Sequence, residues 1–534
     1  MARWFFVPLF VILAVVESSI TISDLGGAEA QSSGATYLVV FKNERLPGNF
    51  ESRIESAGGT VAIAYPEIGV VTAHASSDSF EATMEADRKV LGVTFSPTPI
   101  DSHGNPAGLE ADPSGDPSEN AFPNVPVSDA DPLSGLQWDM RQIHVPEAHA
   151  ITGGSPEVLV GDIDTGIDHT HPDLAPNVDF ENSVSCIGGV PDQDPDAWFD
   201  NNGHGTHTAG TIAAADNGIG IVGIAPNVRI AAIKAGNDEG FFFPADVVCA
   251  FMWAGSHDVD VTNNSYFADP WLFNCRNDPE QGIILEAEER AVRWAQDEGV
   301  LVVASAGNDN IDLAHKSVDT ISPDWPPGSE TTRPVDENCV DVPAELPDVV
   351  TVTANGNLMQ KSYYSSYGLG VVELTAPGGD RRFQVTPDAV NGRVLSALPS
   401  ALFDPTNALM LQDCSVSPCA TYQYAQGTSM AGPHVAGVAA LVFSQNEDAD
   451  PEDVADALLN TADEVPCPAN PFNPGPPFDF LANCEGDENN NSFFGHGEVN
   501  ALTAVTDGGG RDENDRGGDH DEKGRSDGDR RRED

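Results

Sequence analysis

The sequence predicts an α/β protein of three layers, a mostly parallel sheet covered by helices on both faces, with a small α+β domain of ferredoxin-like order before it. Three observations carry this. From Leu136 to about Val505, Val/Ile/Ala-rich strands alternate with helical patterns, as strands buried on both faces of a parallel sheet do. Residues 35–100 show β-α-β-β-α-β patterning, the split βαβ unit. Finally, 534 residues of 40% hydrophobic content suffice for one large core with attachments.

Taken in order, the chain starts with one basic residue, Arg3, and the apolar run Trp4–Val16. That run is short of the about 20 residues that span a hydrocarbon core but suits an export signal. Ala28-Glu29-Ala30 offers small residues at a cleavage point, so residues 1–30 read as a signal peptide and the protein as secreted, without stable membrane insertion afterwards. In the small domain, Tyr37–Phe41 reads as a strand, Asn49–Ala57 as a helix, and Thr60–Ala64 and Gly69–Ala73 as strands. Ser79–Arg88 then reads as a helix and Val90–Phe95 as the last strand. Residues 101–132 turn to Pro, Gly, Asp and Ser, a linker composition. The large domain, 133–505, has strands expected at Val158–Ile163, Arg229–Lys234, Val259–Thr262, Val300–Ser305, Val349–Ala354 and Val371–Leu374. Residues 506–534 are rich in Gly, Asp and Arg without periodicity, the composition of a disordered tail.

With 25 Lys+Arg against 84 Asp+Glu, the net charge is −59, which excludes nucleic acid as a partner bound through a basic surface. The last 28 residues hold 11 acids and 7 bases, so the acidity belongs mainly to the folded part. Such self-repulsion is relieved where salt shortens the screening length, which makes a saline habitat an expectation. The eight cysteines suit an oxidising compartment. Cys414/Cys419 and Cys467/Cys484, close in sequence, are the expected pairs; Cys186, Cys249, Cys275 and Cys339 leave three pairings open.

Chemistry concentrates in short segments. VLVGDIDTGIDHTHPDL, Val158–Leu174, is a buried strand ending on acids, and strand C-termini hold the site in open α/β sheets. Asp162 and Asp164, two apart, share a face. NNGHGTHTAGT, Asn201–Thr211, sets two histidines on a helix start among small residues. AQGTSMAGPHVAGVAAL, Ala425–Leu441, leads Ser429 into a small-residue helix with Pro433 in its first turn. A serine there is ordinarily an N-cap, yet the helix start also offers N–H groups and a positive dipole end to an oxyanion. VLVVASAGN, Val300–Asn308, is a buried strand ending in Gly-Asn.

Together, DTGID, HGTHTAG and GTSMAGPHVAG resemble the three signature segments of the subtilisin-like serine protease family, over roughly Leu136–Val505. The resemblance implies a subtilisin-like fold and a secreted endopeptidase acting on proteins or peptides, with no organic cofactor. It makes Ser429 the nucleophile, His204 the general base, Asp164 the carboxylate that orients the imidazole, and Asn308 the oxyanion-hole amide. Asn263–Tyr266 resembles the substrate-binding edge, with Ser265 and Tyr266 facing an extended peptide. Tyr266-Phe267-Ala268 departs from the family's usual Leu-Gly-Gly. The unit at 35–100 looks like the family's inhibitory propeptide, which makes the chain a zymogen and, once cut, a monomer. The segment Asp216–Ile221 resembles a calcium loop, with Asp173, Asn217, Ile219 and Ile221 at ligand positions. Two rival readings are a catalytically inactive protease-like scaffold and a zinc hydrolase using His169, His171, His204 and His207.

Overall fold

In the computed structural model the described residues are 34–97, 122, 124, 126–446, 449–476 and 480–507. The expected signal peptide, most of the expected linker and nearly all of the expected tail lie outside them.

Seven parallel strands form the central sheet. Their spatial order is Leu374–Pro377, Val349–Asn355, Leu301–Ser305, Val261–Asn264, Leu159–Asp164, Arg229–Lys234, Val184–Ser185. From Leu159–Asp164 the chain first forms the edge strand Val184–Ser185, returns to insert Arg229–Lys234 between the two, and then crosses to lay Val261–Asn264 on the other side. That reversal is a topological switch point, where the strand C-termini part and leave a crevice.

Side chains alternate along each strand, so parity decides which helical layer a residue meets. Val160, Ile230, Ala232, Val261 and Val303 pack with helices His204–Ala213 and Thr428–Phe443. Leu159, Ile163, Ala231, Ile233, Val302 and Ala304 pack with helices Pro244–Ser256 and Gln281–Asp297. Asp162 and Asp164 have the parity of Val160, so both carboxylates meet the layer that carries His204 and Ser429. Close approach of the histidine helix depends on Gly205, where a Cβ would stand 2.2 Å from the Gly166 carbonyl oxygen.

The expected strand at Val371–Leu374 begins instead at Leu374 and runs to Pro377. Val371 and Val372 both donate their N–H groups to Gly368 O, so the first half of this apolar run closes a turn.

The small domain has the expected order of elements, folded as an antiparallel sheet in the order Gly59–Tyr65, Val70–Ala75, Ala35–Phe41, Val90–Ser96. Its own helices, Phe50–Ser56 and Phe80–Glu85, cover one face through Ile54, Phe80 and Met84. The other face carries Leu38, Val40 and Val70, which join the core beneath Pro244–Ser256 and Gln281–Asp297. Arg290 of the latter helix donates through its guanidinium to Phe41 O at 2.9 Å and Ile68 O at 3.0 Å. At the end of the last strand, Ser96 Oγ accepts from Ala245 N at 3.1 Å.

All eight cysteines are paired: Cys414–Cys419 and Cys467–Cys484 as expected, with Cys186–Cys249 and Cys275–Cys339 from the set left open. No helix among the described residues is long and apolar enough to cross a membrane.

Candidate active site

Asp164 ends its strand fully buried, and His204 opens the helix that crosses above it. His204 Nδ1 lies 2.8 Å from Asp164 Oδ1 and 2.9 Å from Oδ2, a contact that fixes the ring and places the imidazole proton on Nδ1. Asp164 Oδ1 also accepts from Thr165 N at 2.7 Å. The buried Asp200, given no role by the sequence reading, pins the helix start, accepting from Gly203 N at 2.8 Å and Thr206 N at 2.9 Å.

Burial opposes a charge on His204, but the Asp164 carboxylate, supported by Asp162 and Asp200, outweighs it and raises the pKa to about 9. Asp162 is different. Burial, then the charge of Asp164, hold its carboxyl well above the usual range, against the donors Thr208 Oγ1 at 2.8 Å and Asn263 Nδ2 at 2.9 Å. Of the two strand-end acids, Asp164 is the one bonded to the imidazole. Burial also pushes His207 down to about 3, and its Nε2 donates to Gln423 O at 3.0 Å.

Ser429 is the second residue of the helix Thr428–Phe443 and is 9% exposed. Its Oγ donates to Ser265 O at 3.2 Å, while Ser265 Oγ donates to Ser429 O at 3.1 Å, so the serine helix is clasped to the end of the Val261–Asn264 strand. Asn308 follows the neighbouring strand. Its Oδ1 accepts from Thr428 N at 2.9 Å and Thr428 Oγ1 at 3.1 Å, which commits the oxygen end to the helix start. The donor end, Nδ2, is the part of this exposed side chain left for a ligand.

His204, Ser429, Asn308, Ser265 and Tyr266 line one cleft of about 270 Å³ at the sheet's switch point. Tyr266 contributes a ring stacked on Phe242, centroids 4.1 Å apart, while its hydroxyl turns away to Asn264 Oδ1 at 3.1 Å. The cleft also holds Asp269, Asp309, Asp324 and Asp341, none of which the motifs indicated. Asp309 directly follows Asn308 and was within reach of sequence reasoning. Asp341 comes from a distant segment tied by Cys275–Cys339 and carries no local signal.

The four histidines of the zinc reading have separate partners. His204 goes to Asp164, His207 to Gln423 O and His171 Nε2 to Thr421 O at 2.8 Å, while His169 lies edge-on to Trp198 at 4.8 Å. Among the described residues no three His, Cys, Asp or Glu side chains are grouped to hold a metal.

At the loop expected to bind calcium, Asp173 Oδ2 accepts from Ile221 N at 3.1 Å and Tyr422 Oη at 2.8 Å, while its Oδ1 is buried without a partner among the described residues. Burial holds this carboxyl well above the usual range. Asn217 Oδ1 accepts from Ile219 N at 3.0 Å, closing a turn within its own loop. The loop is further held by Asp131, absent from the sequence reading, which accepts from Asn217 N at 3.1 Å and Gly218 N at 2.9 Å.

Residues 155–497 match the subtilase family. Among curated proteins, the chain is 29% identical over 448 residues to an alkaline protease of Alkalihalobacillus alcalophilus, covering 83% of this chain and 90% of that one. It is 31% identical over 329 residues to subtilisin Savinase of Lederbergia lenta, covering 61% and 91%. Among solved structures, a lanthipeptide protease superposes with a TM-score of 0.52 at 28% identity, covering 70% of this chain and 94% of the other. The epidermin leader peptide processing serine protease of Staphylococcus aureus superposes with a TM-score of 0.61, covering 90% and 100%; at 19% identity it speaks for the fold alone.

Proposed function

Because this chain belongs to the subtilase family and is a subtilisin-like serine endopeptidase, we propose that it is a secreted zymogen that hydrolyses peptide bonds through an acyl-enzyme on Ser429. The observation that carries the assignment of roles is the two-oxygen grip of Asp164 on His204, opening onto a cleft shared with Ser429 and Asn308.

In this reading Ser429 Oγ turns from the Ser265 carbonyl toward His204, gives its proton to Nε2 and attacks the substrate carbonyl carbon. The oxyanion that forms is held by Asn308 Nδ2 and the Ser429 N–H. His204 then passes the proton to the leaving amine, the peptide bond breaks and an ester remains. A water, deprotonated by the same ring, releases the acid. Asp164 keeps Nδ1 protonated and steadies the imidazolium throughout. Asn308→Ala is expected to lower kcat by about 10²–10³-fold with KM little changed, the loss known for the same amide in subtilisin itself. Steady-state kinetics on one peptide substrate checks this.

The small domain acts as the inhibitory propeptide. Its last strand reaches the N-terminus of the helix Pro244–Ser256, immediately after Phe241 and Phe242, which line the cleft. The last described strand of the small domain therefore ends near residues that line the cleft. Arg290 joins two main-chain carbonyls of the domain to the enzyme body. Arg290→Ala removes two charge-assisted hydrogen bonds, and the uncut chain should then leak activity by at least about tenfold over the unmodified zymogen. A fluorogenic assay before linker cleavage measures it.

Calcium is the proposed structural ion of the Asp173 loop. The unpartnered Asp173 Oδ1 fits an oxygen ligand, and the main-chain oxygens of Ile219 and Ile221 accept no hydrogen bond among the described residues. Asn217 would have to release its own turn to join them. A chelator should lower the melting temperature by several degrees, reversed by added calcium, and should spare an Asp173→Asn variant.

A further inference from the structure

The proposed reaction makes no use of the acids that line the cleft. Asp341 is 2% exposed, yet its Oδ1 has no hydrogen-bond partner, and it lines the same cleft as Ser429. Asp324 likewise has a buried oxygen without a partner. Asp269, 3% exposed, accepts from Phe242 N, and burial, then the neighbouring Asp324, hold its carboxyl well above the usual range. Asp309, directly after Asn308, lines the same cleft.

The nearby cations are spoken for. Lys316 is bonded to Glu345 and lies 5.0 Å over the Phe273 ring, and Arg333 is bonded to Asp319 at 2.7 Å; neither lines the cleft. The cleft is thus a partly apolar slot, walled by Phe242, Tyr266 and Leu272, and none of its described lining residues is a Lys or Arg. No three of them converge as a metal site among the described residues. Spread acids beside apolar walls suit a positive head on an apolar stem.

Position in the reaction follows from the strand ends. Ser265, Tyr266 and Ser305 line the same cleft as Ser429, Asn308 and the four acids, so a residue whose carbonyl reaches Ser429 would have its side chain within that cleft. We infer that the cleft selects an arginine or lysine side chain on the residue that donates the scissile carbonyl, with Asp341, Asp269, Asp324 and Asp309 as its specificity determinants. This rests on the peptidase reading above and names its substrate class. Burial disfavours the charged form of Asp269 and Asp341 and holds both carboxyls well above the usual range, a cost that a bound cation would offset. One consequence concerns the zymogen: between Lys89 and Arg141 the sequence has neither Lys nor Arg, so the linker is a poor substrate for its own cleft.

The test is a set of fluorogenic peptides identical except at that residue, assayed at low salt on the secreted enzyme. The residue is Arg, Lys, citrulline, norleucine, Phe or Glu. Arg should exceed citrulline, and Lys norleucine, by at least about tenfold in kcat/KM. In Asp341→Asn and in Asp309→Asn the Arg/citrulline ratio should shrink severalfold while a fluorophosphonate still labels the enzyme. Should Asp341→Asn fail to fold, the substrate series on the unaltered enzyme decides. Phe or norleucine matching Arg, on an enzyme that still takes the label, overturns the inference and leaves the peptidase reading intact. No hydrolysis of any peptide and no labelling overturns the peptidase reading itself, and the inference with it.

Discussion

Ser429→Ala is expected to lower kcat by about 10⁶-fold, the loss known for the equivalent serine of subtilisin itself. Without the hydroxyl no ester can form, and what remains is whatever the oxyanion donors and substrate binding do for attack by water. The substitution removes one oxygen whose structural bond is a 3.2 Å contact to Ser265 O. The return bond from Ser265 Oγ to the Ser429 carbonyl stays, so the serine helix keeps its clasp and the melting temperature should hold within a few degrees. Kinetics and a thermal scan on the same preparation separate lost chemistry from lost fold. Turnover near that of the unaltered enzyme would refute the assignment.

Asp164→Asn is the second large effect, about 10⁴-fold in kcat, again on the scale known for serine-protease triads. An amide can present its NH₂ to Nδ1 and stabilise the wrong tautomer, and it supplies no charge to the imidazolium. The pH profile gives the more specific signature. The base works only as neutral imidazole, so with a pKa of about 9 the rate in kcat/KM should climb about tenfold per pH unit through neutrality and level off near 9. In Asp164→Asn the chief raising influence is gone while burial, which lowers the value, remains. The rising limb should therefore move to lower pH even as the plateau falls. Stability carries the matching sign. A histidine whose pKa is raised on folding contributes stability that is full below about pH 6.5 and lost as the pH rises through about 9. The variant should lose that dependence, which melting curves against pH would show.

What the sequence disclosed follows from how local each signal is. Strands buried on both faces must be apolar nearly throughout, so Leu159–Asp164, Arg229–Lys234 and Val349–Asn355 stood out. The parity that aims Asp162 and Asp164 at one layer was likewise legible, because a strand's period is fixed. The division of labour between those two acids was not legible from spacing. It depends on Thr208 and Asn263 reaching Asp162 while His204 reaches Asp164, contacts made across 40 or more residues. Asp200 escaped for a related reason: its carboxylate holds the histidine helix from outside the motif. The run Val371–Leu374 misled because a turn on Gly368 O consumes its first two valines. The acids of the cleft were hidden most completely, since Asp341 reaches the cleft that Ser429 lines only through the fold, close after the Cys275–Cys339 bond.

The most direct measurement is to treat the active enzyme with a fluorophosphonate and map the adduct by peptide mass spectrometry, with a zinc chelator in parallel. One adduct per molecule on Ser429, forming as activity disappears and blocked by a competing peptide, is the predicted result, with the chelator leaving the initial rate unchanged. Activity that survives full labelling, or an adduct that accompanies inactivation but sits on another residue, would contradict it.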